Sequence, residues 1–321
     1  MIETTGWVQC DDGARLFIRR WSPGAGAPRA LVHVVHGMTE HSLRYRFLAE
    51  KLCEGGIELW AADMRGHGKT ADPAINGPDK GGLLGHTADR NSFFRVVADI
   101  GSIHRYMVLS TKEQYGDLPL FLMGHSWGSF LVQGYIEDPD NSAALRGCIL
   151  SGTRGPGKSI ALGVPLLALI ALVKGRRRGS MLAQALSVGP YNRHFRPNRT
   201  PFDWLSRDKK AVDDFMADPL CGKPCSSGFY RDMIRGLVVI HRKRAIARID
   251  KALPVYIFCG SVDPVGEMGA SPARLVKAYR AAGIEDLEFV LYPEARHEPL
   301  NEINREEAAE ALLNWLDRCL N

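Results

Sequence analysis

The sequence predicts an α/β protein: a mostly parallel central sheet with helices on both faces and an inserted helical segment. Two observations predict this class. Apolar runs of strand length alternate with helical patterns along most of the chain, and runs that are apolar throughout are typical of strands buried on both faces of a sheet. The alternation stops between 152 and 252 and then resumes. We therefore predict a core formed by residues 1–151 and 253–321 and a helical cap formed by residues 152–252.

The predicted elements follow one another in a regular order. The first two strands, 6–10 and 15–21, form a hairpin around Asp11-Asp12-Gly13. The buried strands are 30–36 and 57–62, and further strands are 118–123, 146–151, 254–259 and 287–292. Helical patterns cover 42–53, 91–110, 129–136, 271–282 and 305–319. These six strands are thus separated by connections long enough to cross the sheet, which favours parallel pairing.

The composition is that of an ordinary globular protein. The 321 residues are 45% hydrophobic and 24% charged, which excludes disordered, collagen-like and coiled-coil chains. The longest apolar run, 160–173, is shorter than the ~20 residues of a membrane-spanning helix. The first residues lack the basic and apolar stretches of a secretory signal, so we expect a cytoplasmic location. The seven cysteines are scattered, and Cys221 and Cys225 lack a second pair, so we expect reduced thiols and no bound metal.

The net charge of +5 is unevenly distributed. Residues 152–250 hold 19 Lys and Arg against 7 Asp and Glu, including the basic runs 174–178 and 242–244. Such runs usually form a solvated face, and the alternative is a face that contacts an anionic membrane peripherally. No helix-turn-helix pattern or aromatic-rich basic groove accompanies them, so we expect no nucleic-acid partner. The sequence indicates no oligomeric state.

The strongest chemical motif is Gly124-His125-Ser126-Trp127-Gly128, which follows one predicted strand and precedes a helix. This G-x-S-x-G pattern is a nucleophile elbow, a sharp turn that leaves the serine hydroxyl exposed at the edge of the sheet. A serine needs a base to become nucleophilic. Of the ten histidines, only His297 follows the last predicted strand, where it can reach that edge.

The third member of such a triad is a carboxylate that leaves a strand between the serine and the histidine. Asp263 follows the strand 254–259 and is our candidate, and Glu294 is a weaker alternative because it is so close to His297. The carboxylate would orient the imidazole and stabilise its charged form. Two backbone N–H groups are predicted to bind the oxyanion. One belongs to Trp127, the residue after the nucleophile. The other belongs to Met38, because Gly37 permits a sharp turn after the third strand.

Four stretches together resemble the monoglyceride lipase and lysophospholipase-like branch of the α/β-hydrolase superfamily, the serine hydrolases with a helical cap. They are 36–45, 63–68, 124–128, and 260–263 with 296–298, and they occur in the expected order. The resemblance implies the α/β-hydrolase fold, ester hydrolysis on a single acyl chain, and no cofactor. It also implies that Glu40 and Arg44 help to organise the oxyanion loop and the substrate pocket.

The apolar run 160–173 has three interpretations. It is a buried cap helix, the lining of an acyl-chain tunnel, or a lid element that dips into lipid beside the basic run 174–178. For the second interpretation, we expect a helix starting at Pro165 to place Leu166, Leu169 and Ile170 in the substrate pocket, together with Gly37.

A competing motif is the P-loop-like match at 152–159, Gly-Thr-Arg-Gly-Pro-Gly-Lys-Ser. We expect Gly163 and Pro165 to interrupt the helix that a P-loop requires, so we interpret the match as the hinge into the cap. The sequence thus predicts a serine hydrolase of single-chain lipid esters, first of all monoacylglycerols. Lysophospholipase, generic carboxylesterase and acyltransferase activities remain alternatives. The alternatives from other classes are a non-catalytic lipid-binding protein and a P-loop nucleotide-binding protein.

Overall fold

A computed structural model describes the backbone of residues 1–321 and all side chains except those of residues 158–160 and 162. The strands are β1 (Ile2–Gln9), β2 (Arg15–Ser22), β3 (Ala30–Val35), β4 (Ile57–Ala62), β5 (Leu120–His125), β6 (Gly147–Ser151), β7 (Val255–Gly260) and β8 (Leu287–Tyr292). They form one sheet in the order β1-β2-β4-β3-β5-β6-β7-β8. The pairs β1–β2 and β2–β4 are antiparallel and all others are parallel. The predicted fold class is confirmed.

Helices cover both faces of the sheet. Strands such as β3, β4 and β5 are buried at every position, so their apolar side chains need cover on both sides. Helices α1 (Arg46–Glu54) and α11 (Arg305–Leu320) pack on one face, where Leu52 and Leu312 are fully buried. Helices α2 (Ser92–Tyr115), α3 (Trp127–Ile136) and α10 (Ala270–Ala281) pack on the other, where Leu131 and Leu275 are fully buried. The short helix α4 (Pro139–Ala143) follows α3.

Helices also fill the segment between β6 and β7, which was predicted to be the cap. They are α5 (Lys158–Lys174), α6 (Met181–Ser187), α7 (Lys209–Ala217), α8 (Ser227–Ile240) and α9 (Lys243–Ile246). The expectation that Gly163 and Pro165 would interrupt the first of these is wrong, because α5 runs through both. Pro165 removes one backbone donor, but the surrounding leucines and alanines favour helix strongly enough to continue it. The side chains of Lys158 and Ser159 in the P-loop-like match lie outside the described residues.

Within the residues that the structure describes, no helix combines the length and the apolar character needed to cross a bilayer. Helix α8 lies between α5 on one side and α2 on the other. The inserted segment therefore rests on the core through the same face of the sheet that carries α2 and α3.

Candidate active site

Ser126 lies at the turn between β5 and α3 with a strained backbone (φ +51°, ψ −123°). A backbone φ near +50° is uncommon for residues other than glycine, and such strained residues are often found at functional turns. The flanking glycines are required by close packing. A Cβ atom on Gly124 would lie 2.5 Å from the carbonyl oxygen of Gly128, and one on Gly128 would lie 2.1 Å from that of Val35. The elbow predicted from the motif is therefore present.

His297 and Asp263 form a buried pair at the same edge of the sheet. His297 Nδ1 lies 3.0 Å from each carboxylate oxygen of Asp263, and both residues are at most 1% exposed. The carboxylate thus fixes the imidazole with its proton on Nδ1 and leaves Nε2 as the acceptor. Burial alone would lower the pKa of His297, but the charge and hydrogen bond of Asp263 raise that pKa above its usual value.

Nε2 of His297 is buried and has no hydrogen-bond partner among the described residues. His297 and Ser126 line the same cavity. A basic nitrogen that shares a cavity with a serine hydroxyl can take up its proton once the two atoms come within hydrogen-bond distance. The structure therefore brings together Ser126, His297 and Asp263 as the spacing along the chain predicted, whereas Glu294 is exposed, with 86% of its side chain accessible.

The turn after β3 lies against the nucleophile. A Cβ atom on Gly37 would be 3.2 Å from Cβ of Ser126, so the backbone of Gly37 approaches the serine closely, and Met38 lines the same cavity as Ser126. The N–H of Gly37 donates to Glu40 Oε1 at 2.5 Å, which orients the turn. Trp127 is 2% exposed and stacks on His67 at 5.0 Å, which holds the start of α3 beside this turn.

Arg44 connects the turn after β3 to the loop that carries His297. Its guanidinium donates to Glu40 at 2.6 Å and to both carboxylate oxygens of Glu298 at 2.8 and 2.7 Å. All three charged groups are largely buried, with Glu40 and Glu298 at most 4% exposed. Burial would raise the pKa of Glu298, but Arg44 holds that pKa below its ordinary value, so both carboxylates are ionised.

The cavity beside Ser126 is small, about 30 Å³, close to the volume of one water molecule. Among the predicted pocket residues, Gly37, Glu40 and Arg44 line it, as does Met38. Small-molecule sites in proteins typically have volumes of roughly 300–1,000 Å³. Binding a ligand of that size would require the side chains over Ser126 to move apart.

The expectation that Leu166, Leu169 and Ile170 line this cavity is wrong, because none of the three is among its lining residues. Leu166 and Leu169 are 47% and 56% exposed, and Ile170 is buried in the main hydrophobic core. Helix α5 is apolar on every side, so its sequence contains no information about which face meets which neighbour. The packing of α5 against α8 determines which of its side chains are buried and which are exposed.

The cap residues that do line the cavity were not predicted. They are mostly apolar and come from α6, α7 and the connections that follow α6: Gln184, Val188, Phe202, Trp204, Leu205 and Phe215. No local signal in the sequence marks them, because their proximity to Ser126 arises from packing alone. Glu298 also escaped prediction, although its position beside His297 was a usable signal.

The loop 202–208 of the cap is bound to the loop that carries His297. Glu298 N–H donates to the carbonyl of Leu205 at 2.9 Å, and Arg207 Nε donates to Glu302 at 2.9 Å. Glu302 is 1% exposed, so this ion pair is strongly shielded from water. The segment inserted between β6 and β7 is therefore bound, near its middle, to the loop that carries His297.

One cluster outside the triad contains metal-binding residue types. Ligand atoms of His41, Asp218 and Cys221 lie within 4.8 Å of one another. His41 and Asp218 already form a hydrogen bond of 2.8 Å, burial raises the pKa of the Cys221 thiol, and the Arg44 guanidinium faces the same space. A cation next to that guanidinium would be repelled, so we interpret the cluster as an ion pair with a buried thiol.

A nucleophile elbow on a mostly parallel sheet, with a buried His–Asp pair behind its serine, defines a serine hydrolase of the α/β-hydrolase class. The family model described as "Serine aminopeptidase, S33" matches residues 26–304. The chain belongs to this family.

Known relatives narrow the class further. The chain is 28% identical to a monoacylglycerol lipase of Mycolicibacterium smegmatis over 95% of its own length and 93% of the relative's. It is 30% identical to a monoglyceride lipase of Homo sapiens, over 76% and 66% of the two lengths. Its fold matches a thermostable carboxyl esterase of Bacillus coagulans, solved with glycerol, over 100% of both chains (TM-score 0.87, 26% identity). The predicted resemblance is confirmed, and the chain is a serine carboxylester hydrolase.

Proposed function

We propose that this protein hydrolyses esters of single-chain lipids, with monoacylglycerols as its principal substrates, and that Ser126, His297 and Asp263 are its catalytic residues. The observation that carries the proposal is the unpartnered Nε2 of His297 in the cavity of Ser126, with Nδ1 held by Asp263. The named activities of the relatives and the apolar lining of the cavity favour a lipid ester.

The geometry supports a two-step mechanism through an acyl-enzyme. Ser126 Oγ attacks the acyl carbonyl carbon while its proton passes to Nε2 of His297. The N–H groups of Met38 and Trp127 stabilise the oxyanion. The intermediate collapses, the C–O bond to the alcohol breaks, and His297 protonates the departing alkoxide. Water then attacks the acyl-enzyme with the same proton transfers and releases the fatty acid. Asp263 stays ionised throughout.

The charge balance of the cavity favours an ester over a peptide substrate. An aminopeptidase must bind the free α-ammonium group of its substrate, which requires a carboxylate that is available to it. The carboxylates that line this cavity, Glu40 and Glu298, are both bound to Arg44. An uncharged ester fits this arrangement better than a cationic peptide terminus does.

We also propose that the cap contacts the membrane surface from which the substrate is taken. Helices α5 and α6 expose a group of large apolar side chains, called here the cap patch: Leu166, Leu169, Leu172, Val173, Met181, Leu182 and Leu186. An exposed apolar surface of this kind usually marks an interaction site. The adjacent basic run is partly neutralised, because Arg176 pairs with Asp232 and Arg177 with Asp89. The contact would therefore rely on apolar insertion more than on charge.

The cap that we propose spans residues 152–252 and excludes water from the site until the acyl-enzyme has formed. All seven cysteines are free and buried, which suits a reducing compartment. A cytoplasmic location, peripheral to the membrane, is thus the location we propose.

The proposal is tested by hydrolysis of 1-monoacylglycerols of increasing chain length beside matched lysophosphatidylcholines. We expect turnover of the glycerides with an optimum at one chain length, and loss of all turnover in Ser126→Ala. Preferential turnover of the phospholipids would identify a lysophospholipase, and turnover of short esters alone a generic carboxylesterase. Added methanol that diverts the acyl group into a methyl ester would reveal the acyltransferase alternative.

A further inference from the structure

A large cleft lies away from Ser126, between the core helices α2 and α3 and the last two helices of the inserted segment, α8 and α9. Its volume is about 780 Å³, and none of its lining residues lines the cavity of Ser126. Helix α3 begins next to Ser126, whereas its far end, at Tyr135, lines the cleft. The two sites are thus separated by about 15 Å of helix.

Apolar residues form one part of the cleft, called here its floor. Phe94 and Val97 of α2 line it together with Val239 of α8 and the two glycines Gly101 and Gly134. Volumes of this order, with apolar walls and a few polar groups, are typical of small-molecule sites. An alkyl chain would therefore find a suitable surface here.

Four arginines stand around this floor. Arg105 pairs with Asp11 at 2.5 Å, and Arg248 lies 3.7 Å from Asp138. The other two, Arg242 and Arg244, belong to the basic run 242–244 of the sequence, and they form no ion pair with any side chain that the structure describes. Free guanidinium groups beside an apolar floor are suited to bind an anionic head group.

Glu137 provides an independent observation. It lines the cleft, is only 8% exposed, and accepts no hydrogen bond within the described part of the chain. Burial raises the pKa of Glu137 to about 9, against the opposing effect of Arg248, so the carboxyl is neutral near pH 7. A neutral carboxylic acid that lines the cleft can donate a hydrogen bond to a bound anion, and it does not cancel the charge of the arginines.

The cleft continues along α8 into a smaller one of about 260 Å³. Phe94 and Val239 line both, and the extension adds Arg231 and Arg235 at its rim. Together they form a trough lined by apolar side chains and by several arginines, and the carboxylate of Asp232, which pairs with Arg231, also lines the extension. This shape fits a single extended chain with one anionic end.

We infer that this trough binds a long-chain fatty acid, with its carboxylate at Arg242 and Arg244 and its alkyl chain along Phe94, Val97 and Val239. The choice of a fatty acid rests on the proposed function, which releases one in every turnover. The site would let the product bind the enzyme outside the catalytic cavity. It differs from the cap patch, which lies on α5 and α6 and is apolar and exposed.

Binding is measured by equilibrium dialysis of [14C]laurate, below its critical micelle concentration, against protein whose Ser126 has first been blocked by a long-chain alkyl fluorophosphonate. We expect one bound equivalent of laurate and no comparable binding of dodecanol, which lacks the charge. The double variant Arg242→Gln/Arg244→Gln should lose at least tenfold in affinity. If Ser126 does not react, the same measurement on Ser126→Ala protein still tests the site.

The matched control is Lys277→Gln/Arg280→Gln, which removes the same charge from two exposed residues of α10. It should bind laurate as the unmodified chain does, and both double variants should hydrolyse a short soluble ester at the unmodified rate. Absence of the laurate equivalent, or equal losses in the two double variants, would overturn the inference while leaving the proposed hydrolysis intact. Binding of anionic vesicles in place of laurate, lost in the first variant, would reassign the trough to a membrane surface.

Discussion

Arg44 and Glu298 form a bidentate ion pair across 254 positions of the chain, and Arg44 also binds Glu40. The pair therefore joins the loop that follows the last strand to the turn that follows the third. One loop carries His297, and the other carries the N–H group predicted to stabilise the oxyanion. The loop of His297, our proposed acid–base residue, and the turn proposed to bind the oxyanion are thus held in a fixed position relative to each other.

We expect Glu298→Gln to lower kcat by about tenfold to a hundredfold with little change in KM, because small misplacements of catalytic groups act mainly on the transition state. The measurement is steady-state hydrolysis of a soluble ester, together with thermal unfolding. Asp99→Asn is the control, since Asp99 is equally buried and binds a buried arginine, Arg65, away from the site. It should lower the midpoint of unfolding and leave kcat unchanged. Equal kcat values for the two variants would contradict the positioning role.

The pH dependence of the reaction follows from the His297–Asp263 pair. His297 acts as a base only when it is neutral, so kcat/KM should fall as the pH drops below its pKa, which lies above the usual value for histidine. The variant Asp263→Asn lacks the negative charge that raises the pKa of His297. The acidic limb of the kcat/KM profile should therefore move to lower pH. The plateau should fall by about 10⁴ because the amide favours the wrong tautomer.

The control for this profile is Glu294→Gln, which removes the alternative carboxylate. Glu294 is largely exposed and its carboxylate lies 3.6 Å from Arg207, so both the plateau and the limb should match those of the unmodified enzyme. A limb that stays in place in Asp263→Asn would show that another group limits the rate.

The nucleophile elbow depends on the absence of a side chain at Gly128. We expect Gly128→Ala to destabilise the protein by at least about 1–3 kcal/mol, because the new methyl group would overlap the carbonyl of Val35 in the central sheet. Thermal unfolding measures the loss. Gly77→Ala serves as its counterpart, since a Cβ atom there would have no other atom within 4 Å and the φ of Gly77 is negative. Equal stability of the two variants would mean that the elbow can relax.

The exposed cap patch predicts how the enzyme acts on a substrate that lies in a lipid vesicle. Leu169→Asp/Leu172→Asp should reduce hydrolysis of monoacylglycerol in vesicles by tenfold or more and leave hydrolysis of a soluble short ester unchanged, because a charge opposes insertion into lipid. Leu109→Asp on α2, where the leucine is 75% exposed, provides the comparison and should affect neither substrate. A loss on both substrates would instead place Leu169 and Leu172 in substrate binding.

The sequence by itself determined the fold class, the order of the strands along the chain, and the residues at the carboxyl edge of the sheet. These features are local, because the apolar pattern of a buried strand and the glycines of a sharp turn involve only residues that are close together in the sequence. Ser126, Asp263 and His297 could be selected because each follows a recognisable strand, and strand ends meet at one edge.

The tertiary structure alone decided which cap residues cover Ser126. Helix α5 is apolar all round, so its pattern cannot reveal that Leu169 faces outward while Gln184 of α6 faces the cavity. Such contacts join residues far apart in the chain, as Arg44 and Glu298 do. They depend on how whole helices pack, and packing is a property of many distant side chains acting together.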